Sequence, residues 1–224
     1  MREHEYEPVC GLPEALPPGE EILWQGRPQW RVLARRAFHV RTLAVYLGLM
    51  WLARVGLAIG TGEGFGAAFE VLGLAALFAA GLGFFLLLAW LHERTTVYTI
   101  TNRRVVMRIG VALSATWNLP FARLAAADLA LRSETDGDIV LRLLPPDRVQ
   151  WVYLWPHVAP GRFVDVRPAL RGLAEPERVA GLLREAVSGA VPAEDGGLRV
   201  APGALSRAAA SPPRAVPPTL ASEV

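Results

Sequence analysis

The side chains able to do chemistry are few and scattered. His4, His39, His92 and His157 are the four histidines, and none has a second ligand at the spacing a metal needs. Cys10 is the sole cysteine, which excludes an internal disulfide, a cysteine-based zinc knuckle and a single-chain iron–sulfur site. The glycine-rich stretches GTGEGFG (60–66) and GLGF (81–84) lack the strand, helix and lysine context in which glycines cradle a phosphate. Ser, His and acidic residues form no nucleophilic motif. His92, close to Trp90 at the end of an apolar run, reads either as a ligand to a tetrapyrrole magnesium or as an interfacial histidine. The expectation is a chain that is not an enzyme, with no catalytic, cofactor-binding or metal residues and no cofactor.

Apolarity organises the chain instead. Of its 224 residues 52% are hydrophobic, and the mean hydropathy of +0.29 is concentrated in two stretches. Residues 71–91, VLGLAALFAAGLGFFLLLAWL, carry no charge, and residues 42–59, TLAVYLGLMWLARVGLAI, carry only Arg54. Each is long enough to cross roughly 30 Å of hydrocarbon at about 1.5 Å per residue. Buried helices of a soluble protein would show polar faces at helical period, and the second stretch shows none. A wholly soluble enzyme is excluded, and a transmembrane hairpin over 42–91 is expected. Within it Arg54 either snorkels outward or pairs with Glu70 at matched depth. Gly56 and Gly60 on the first span, and Ala75, Ala79 and Gly83 on the second, repeat small side chains at four-residue spacing. Such residues let helices approach closely, against each other or against a partner's span, a second copy of the chain included.

The 23 basic residues stand against 21 acidic ones, and every basic residue is Arg. Total replacement of Lys, with heavy Ala, Gly and Pro usage, points to a GC-rich genome rather than to phosphate binding, so no nucleic-acid partner is expected. Arg27, Arg31, Arg35, Arg36 and Arg41 precede the first span; Arg94, Arg103, Arg104 and Arg108 follow the second; the connecting loop carries Glu63 and Glu70 without Arg. The positive-inside rule places the loop outside and both termini in the cytoplasm. The opening MREHEYEPVCGLPEALPPGEE is acidic and proline-broken, unlike a signal peptide, so residues 1–28 read as a cytoplasmic segment. Residues 29–41 place Trp30, Leu33, Ala37 and Phe38 on one helical face and Arg31 and Arg35, in line with Arg27, on another. That pattern suits an interfacial helix, with Trp30, Arg31, Arg35 and Arg36 as candidate lipid contacts, or alternatively a solvated helix.

After His92 the period changes from 3.6 to 2. Residues 95–101, 103–109, 113–119, 124–132, 138–144 and 149–154 are short β-rich runs separated by turn residues, and 175–188 reads as one amphipathic helix. A small sandwich or partly open barrel over 95–188, capped by that helix, is expected. Residues 190–224 are rich in Pro, Ala, Gly and Ser and are expected to be disordered. Thr101, Asn102, Arg103 and Arg104 suggest a tight turn whose two arginines face anionic headgroups. Trp155, Pro156 and His157 form either an exposed partner-binding loop or a stiff turn packed on the sheet.

These residues carry a resemblance. GEEILWQGRPQW (19–30), two spans, then VYTITNRRVVMRIG (97–110) is similar to the bacterial PH-domain membrane proteins. With GLPEALPPGEEILWQGRP, NLPF (118–121), LWPHVAPGRF and RPALRGL (167–173) the chain resembles, over roughly residues 6–188, the PuhB-type photosynthetic assembly proteins of purple bacteria. That resemblance implies a PH-like β domain following two transmembrane helices, in the bacterial inner or intracytoplasmic membrane. It also implies a non-enzymatic factor that aids assembly of the reaction centre with its core light-harvesting antenna, with those subunits and membrane lipids as partners. The alternatives are a general membrane-organising or lipid-sensing PH-domain protein and an enzyme acting on lipid or pigment.

Overall fold

The computed structural model describes residues 11–12, 14–111, 114–131, 136–144, 151–159 and 166–190. The tail whose composition predicts disorder, beyond residue 190, lies outside them.

Two helices dominate the first half. Helix α2 (Val40–Gly60) and α3 (Phe65–Thr95) are joined by a short turn, and both are long and apolar enough to cross a membrane. At about 1.5 Å per residue the 21 residues of α2 rise about 32 Å, and the 31 of α3 about 46 Å. Neither most apolar window is buried inside the protein, so their side chains need an apolar surrounding other than this chain's own core. The helices cross-brace where the Trp51 indole N–H donates to the Val71 carbonyl at 3.0 Å.

A shorter helix, α1 (Trp30–Arg36), precedes them, where the sequence reading expects one helix over 29–41. Only 7 residues are helical. His39 then takes a left-handed conformation at φ 51°, and the chain turns into α2. Val32, Leu33 and Ala34 are buried. Leu33, Ala34 and Phe38 close a small core with Ala89, against which Phe85 and Leu88 pack. The apolar face that periodicity assigned to lipid is satisfied by the part of α3 that extends past α2.

The β domain comprises a four-stranded antiparallel sheet in the order β1-β2-β3-β4 and a three-stranded one in the order β5-β6-β7. The strands are β1 (Ile22–Gly26), β2 (Val97–Thr101), β3 (Arg104–Ile109), β4 (Ala115–Pro120), β5 (Leu124–Leu131), β6 (Asp136–Leu143) and β7 (Ala169–Ala174). A 3-10 turn at Phe121–Arg123 carries the chain from one sheet to the other. Helix α5 (Pro176–Ala190) lays Val179, Ala180, Leu183, Ala186 and Val187 into the core between them. The fold is thus two long apolar helices, a PH-like pair of sheets and a covering C-terminal helix, as the sequence predicts.

Two local expectations are corrected. Residues 151–154 form a helical turn, α4 (Trp151–Leu154), where a strand was expected over 149–154. Leu154 is fully buried in the domain core, and packing overrides β propensity. The sheet position goes to β7, whose ALRGLA has little strand character. The domain also does not begin at residue 95. Strand β1 pairs antiparallel with β2, Gly26 opposite Tyr98 and Gln25 opposite Thr99. The helical hairpin is therefore inserted between the first and second strands of one sheet.

Candidate functional site

The two most distinctive sequence motifs, some 80 residues apart, meet at one place. Thr101 ends β2 and Arg104 begins β3, and the Thr101 hydroxyl accepts from the Arg103 and Arg104 amides at 3.2 and 3.0 Å. The same hydroxyl donates to Glu20 Oε1 at 2.8 Å. Arg104 grips Glu20 with two bonds, Nε to Oε1 at 2.6 Å and Nη2 to Oε2 at 2.9 Å. Asn102 accepts from the Glu21 amide at 3.1 Å and donates to the Gly19 carbonyl at 2.9 Å. The bidentate geometry is the strong form of an arginine–carboxylate pair. Gly-Glu before β1 and Thr-Asn-Arg-Arg between β2 and β3 thus form one clasp that seats β1 on the sheet.

This revises the expectation for the two turn arginines. Arg104 is committed to the buried Glu20 carboxylate. Arg103 is exposed, one strand length from the end of α3. Arg36 likewise has a protein partner, pairing with Asp136 at 2.7 Å. The other tryptophan motif has a steric reason: a Cβ at Gly26 would collide with the Trp24 ring, so Trp-Gln-Gly needs its glycine for the indole to lie over the backbone.

A second cluster joins the hairpin to the β domain. Only Thr96 separates α3 from β2. His157 is fully buried between these elements, its Nδ1 at 2.5 Å from the Tyr98 hydroxyl and its Nε2 at 3.3 Å from the Thr96 hydroxyl. The Arg171 amide donates to the Tyr98 oxygen at 3.3 Å, and the two hydroxyls between them offer a donor and an acceptor to either tautomer of the neutral ring. The imidazole is held neutral. Burial depresses its pKa well below the usual value, reinforced by the nearby His92 and Arg171. Burial also pushes the Tyr98 phenol far up. Arg171 completes the network by donating to the Pro156 carbonyl at 3.0 Å, and the Gly172 amide donates to Asp138 at 2.9 Å.

The structure divides Trp155-Pro156-His157: Pro156 and His157 belong to a packed turn, whereas Trp155 stays 37% exposed. Trp155 keeps one edge of its ring against Phe38, at 5.2 Å between centroids. Phe38 in turn lies 6.1 Å from both Phe85 and His92, and His92 lies 5.6 Å from His157. Helix α1 is fixed on the other side by the Gln29 amide, which donates to the Gly172 carbonyl at 2.9 Å. A left-handed glycine at Gly172, φ 64°, lets the two backbones approach this closely. Hairpin, α1 and both sheets therefore share one aromatic and polar joint. The sequence singles out His92 and His157 separately and Tyr98 not at all, and nothing in their spacing signals that they meet.

At the far end of the hairpin Arg54 reaches Glu70 at 2.7 Å and also Glu63 at 2.8 Å. The glycines do not serve the contact between α2 and α3: a Cβ at Gly56, Gly60 or Gly83 meets nothing within 4 Å. Ala79 and Gly83 face outward, whereas Ala75 is half-buried. Among the described residues no group of three or more His, Cys, Asp or Glu is placed to hold a metal ion.

The comparisons with known proteins agree with this architecture. Residues 37–187 match the bacterial PH domain family. The chain is 38% identical over 191 residues to a Rhodobacter capsulatus protein described as an uncharacterized 23.7 kDa protein in the puhA 5' region, covering 83% of this chain and 89% of the relative. No solved structure matches it significantly. A chain with these two sheets, their helical cap and this extent of match belongs to the bacterial PH domain family.

Proposed function

We propose that this chain is a PuhB-type, non-enzymatic membrane assembly factor for the photosynthetic reaction centre and its core light-harvesting complex. The observation that carries the reading is the relative, matched over 89% of its length, whose description places it in the puhA 5' region. The motifs running from Gly19 to Leu173 support the same assignment. The architecture suits the task. Two apolar helices present outward surface that this chain does not cover, and a firm joint holds the β domain in a set relation to them, so membrane-embedded and exposed parts of a client can be held together.

In this reading the hairpin crosses the inner or intracytoplasmic membrane with its β domain in the cytoplasm. A cysteine at Gly62 should be labelled by an impermeant reagent in intact spheroplasts and one at Arg103 should not. The outward small residues Ala79 and Gly83 receive a client span, where close approach of backbones gives dispersion contacts without large buried side chains. The test is affinity purification of the tagged chain from solubilised membranes of phototrophically grown cells. Reaction-centre and core-antenna polypeptides should accompany the wild type and be depleted with Ala79→Leu inserted at the same level. Their absence from the wild type, with general membrane proteins in their place, would favour a membrane-organising role unrelated to photosynthesis.

A further inference from the structure

Two tryptophan–arginine pairs stand at the end of the hairpin that carries the β domain. The Arg31 guanidinium lies 5.5 Å from the centroid of the Trp30 ring, and that of Arg94 lies 4.5 Å from the centroid of Trp90. A guanidinium over an aromatic face is held through its plane, which leaves the in-plane N–H donors pointing outward in the fork that matches a phosphate. Arg35 follows one turn after Arg31, its Nε donating to the Arg31 carbonyl at 3.4 Å. Leu33 and Ala34 pack against Ala89, which sets α1 beside the last turns of α3, where the apolar run of 71–91 ends.

The charge there is uncompensated, in contrast to other arginines of the molecule. Arg36, Arg54, Arg104 and Arg142 each have a carboxylate oxygen within 2.8 Å. Arg31, Arg35 and Arg94 are exposed and form no ion pair among the described residues. On the hairpin side of Trp90, Leu86 and Leu87 present outward apolar surface, 40% and 51% exposed. We propose that this collar of Arg31, Arg35 and Arg94 binds the phosphate of an anionic phospholipid, with Trp30 and Trp90 at the level of the headgroup. The apolar surface beneath the collar commits the site to an amphiphile rather than to free phosphate, because the anion's acyl chains have a complementary wall to lie on.

The test uses the full chain purified in detergent and titrated with phosphatidylglycerol, with phosphatidylcholine or with inorganic phosphate, followed by native mass spectrometry of bound lipid. The wild type should retain phosphatidylglycerol over phosphatidylcholine. R31Q/R35Q/R94Q should weaken phosphatidylglycerol binding by about tenfold or more, R103Q should leave it unchanged, and inorganic phosphate should not compete at millimolar concentration. If the triple variant is not recovered folded, R94Q alone decides and should weaken binding about threefold. Equal retention of the two lipids, an unaffected arginine variant, or a loss with R103Q as large as with the collar variant would overturn the proposal. Displacement by inorganic phosphate would overturn its assignment to a lipid.

Discussion

His157 shows how a side chain that looks functional in sequence can be committed to structure. Both ring nitrogens have partners, Tyr98 and Thr96, and the ring sits where a proton would be costly. Burial first, then the neighbouring His92 and Arg171, lower its pKa well below the usual value, so the unfolded chain binds a proton more readily than the folded one. Stability is therefore fully present above pH about 6.5, the unfolded value, and is lost as pH falls below it. Thermal unfolding of the detergent-solubilised protein between pH 7.5 and about 5 should show that decline, and His157→Asn, which cannot protonate, should flatten it. Glu20 is the second such residue. Glu20→Gln leaves Arg104 without its carboxylate, and we expect a loss of about 2 kcal/mol, read from denaturant unfolding, whereas Arg103→Gln should change little. From sequence, the two arginines of the turn look equivalent. Only the buried Glu20, some 80 residues earlier, distinguishes them.

Among the elements, those with a strong repeating pattern were legible and those defined by partners were not. The absence of charge over 71–91 predicts α3, alternation predicts β2 to β6 closely, and the amphipathic period over 175–188 predicts α5 (Pro176–Ala190). Strand β7 was hidden because ALRGLA gains its strand conformation from the ladder with β6. The place of β1 was hidden because its partner lies beyond the whole hairpin. Helix α1 carries an apolar stripe that suits lipid and a protein neighbour equally, and only the projection of α3 past α2 decides for Phe85, Leu88 and Ala89. The loop end of the hairpin is half legible: matched depth offers Glu70 as a partner for Arg54 beside simple snorkelling, and Glu63, in the turn, gives no such signal. Two carboxylates on one guanidinium change the expected mutational pattern. Glu70→Gln alone should be mild, Glu63→Gln with Glu70→Gln should reduce inserted protein severalfold, and adding Arg54→Gln should restore most of it, because an arginine within an apolar span is costly unless it is paired or reaches the surface. Immunoblots of washed membranes check this. A triple variant as poor as the double would show that Arg54 is stabilised without the two acids.

At the scale of the whole molecule, the insertion of the hairpin between β1 and β2 makes spans and β domain one body. The chain leaves the sheet at Gly26, passes through α1, α2 and α3, and re-enters the same sheet at Val97, with the clasp of Glu20 on Arg104 closing the excursion. A hinged domain on a single linker would not carry orientation from the membrane to the sheet; this one is tied at both ends and across the His157 joint. Such a body suits a factor that holds partly built membrane complexes, and that role is the central claim. It is tested most directly by the membrane absorbance spectrum of a strain lacking the gene, compared with the same strain carrying the full chain. The account predicts reduced near-infrared absorbance of the reaction-centre and core-antenna complex, without accumulation of a pigment precursor, and recovery on complementation. Unchanged near-infrared absorbance in the deletion strain would contradict it.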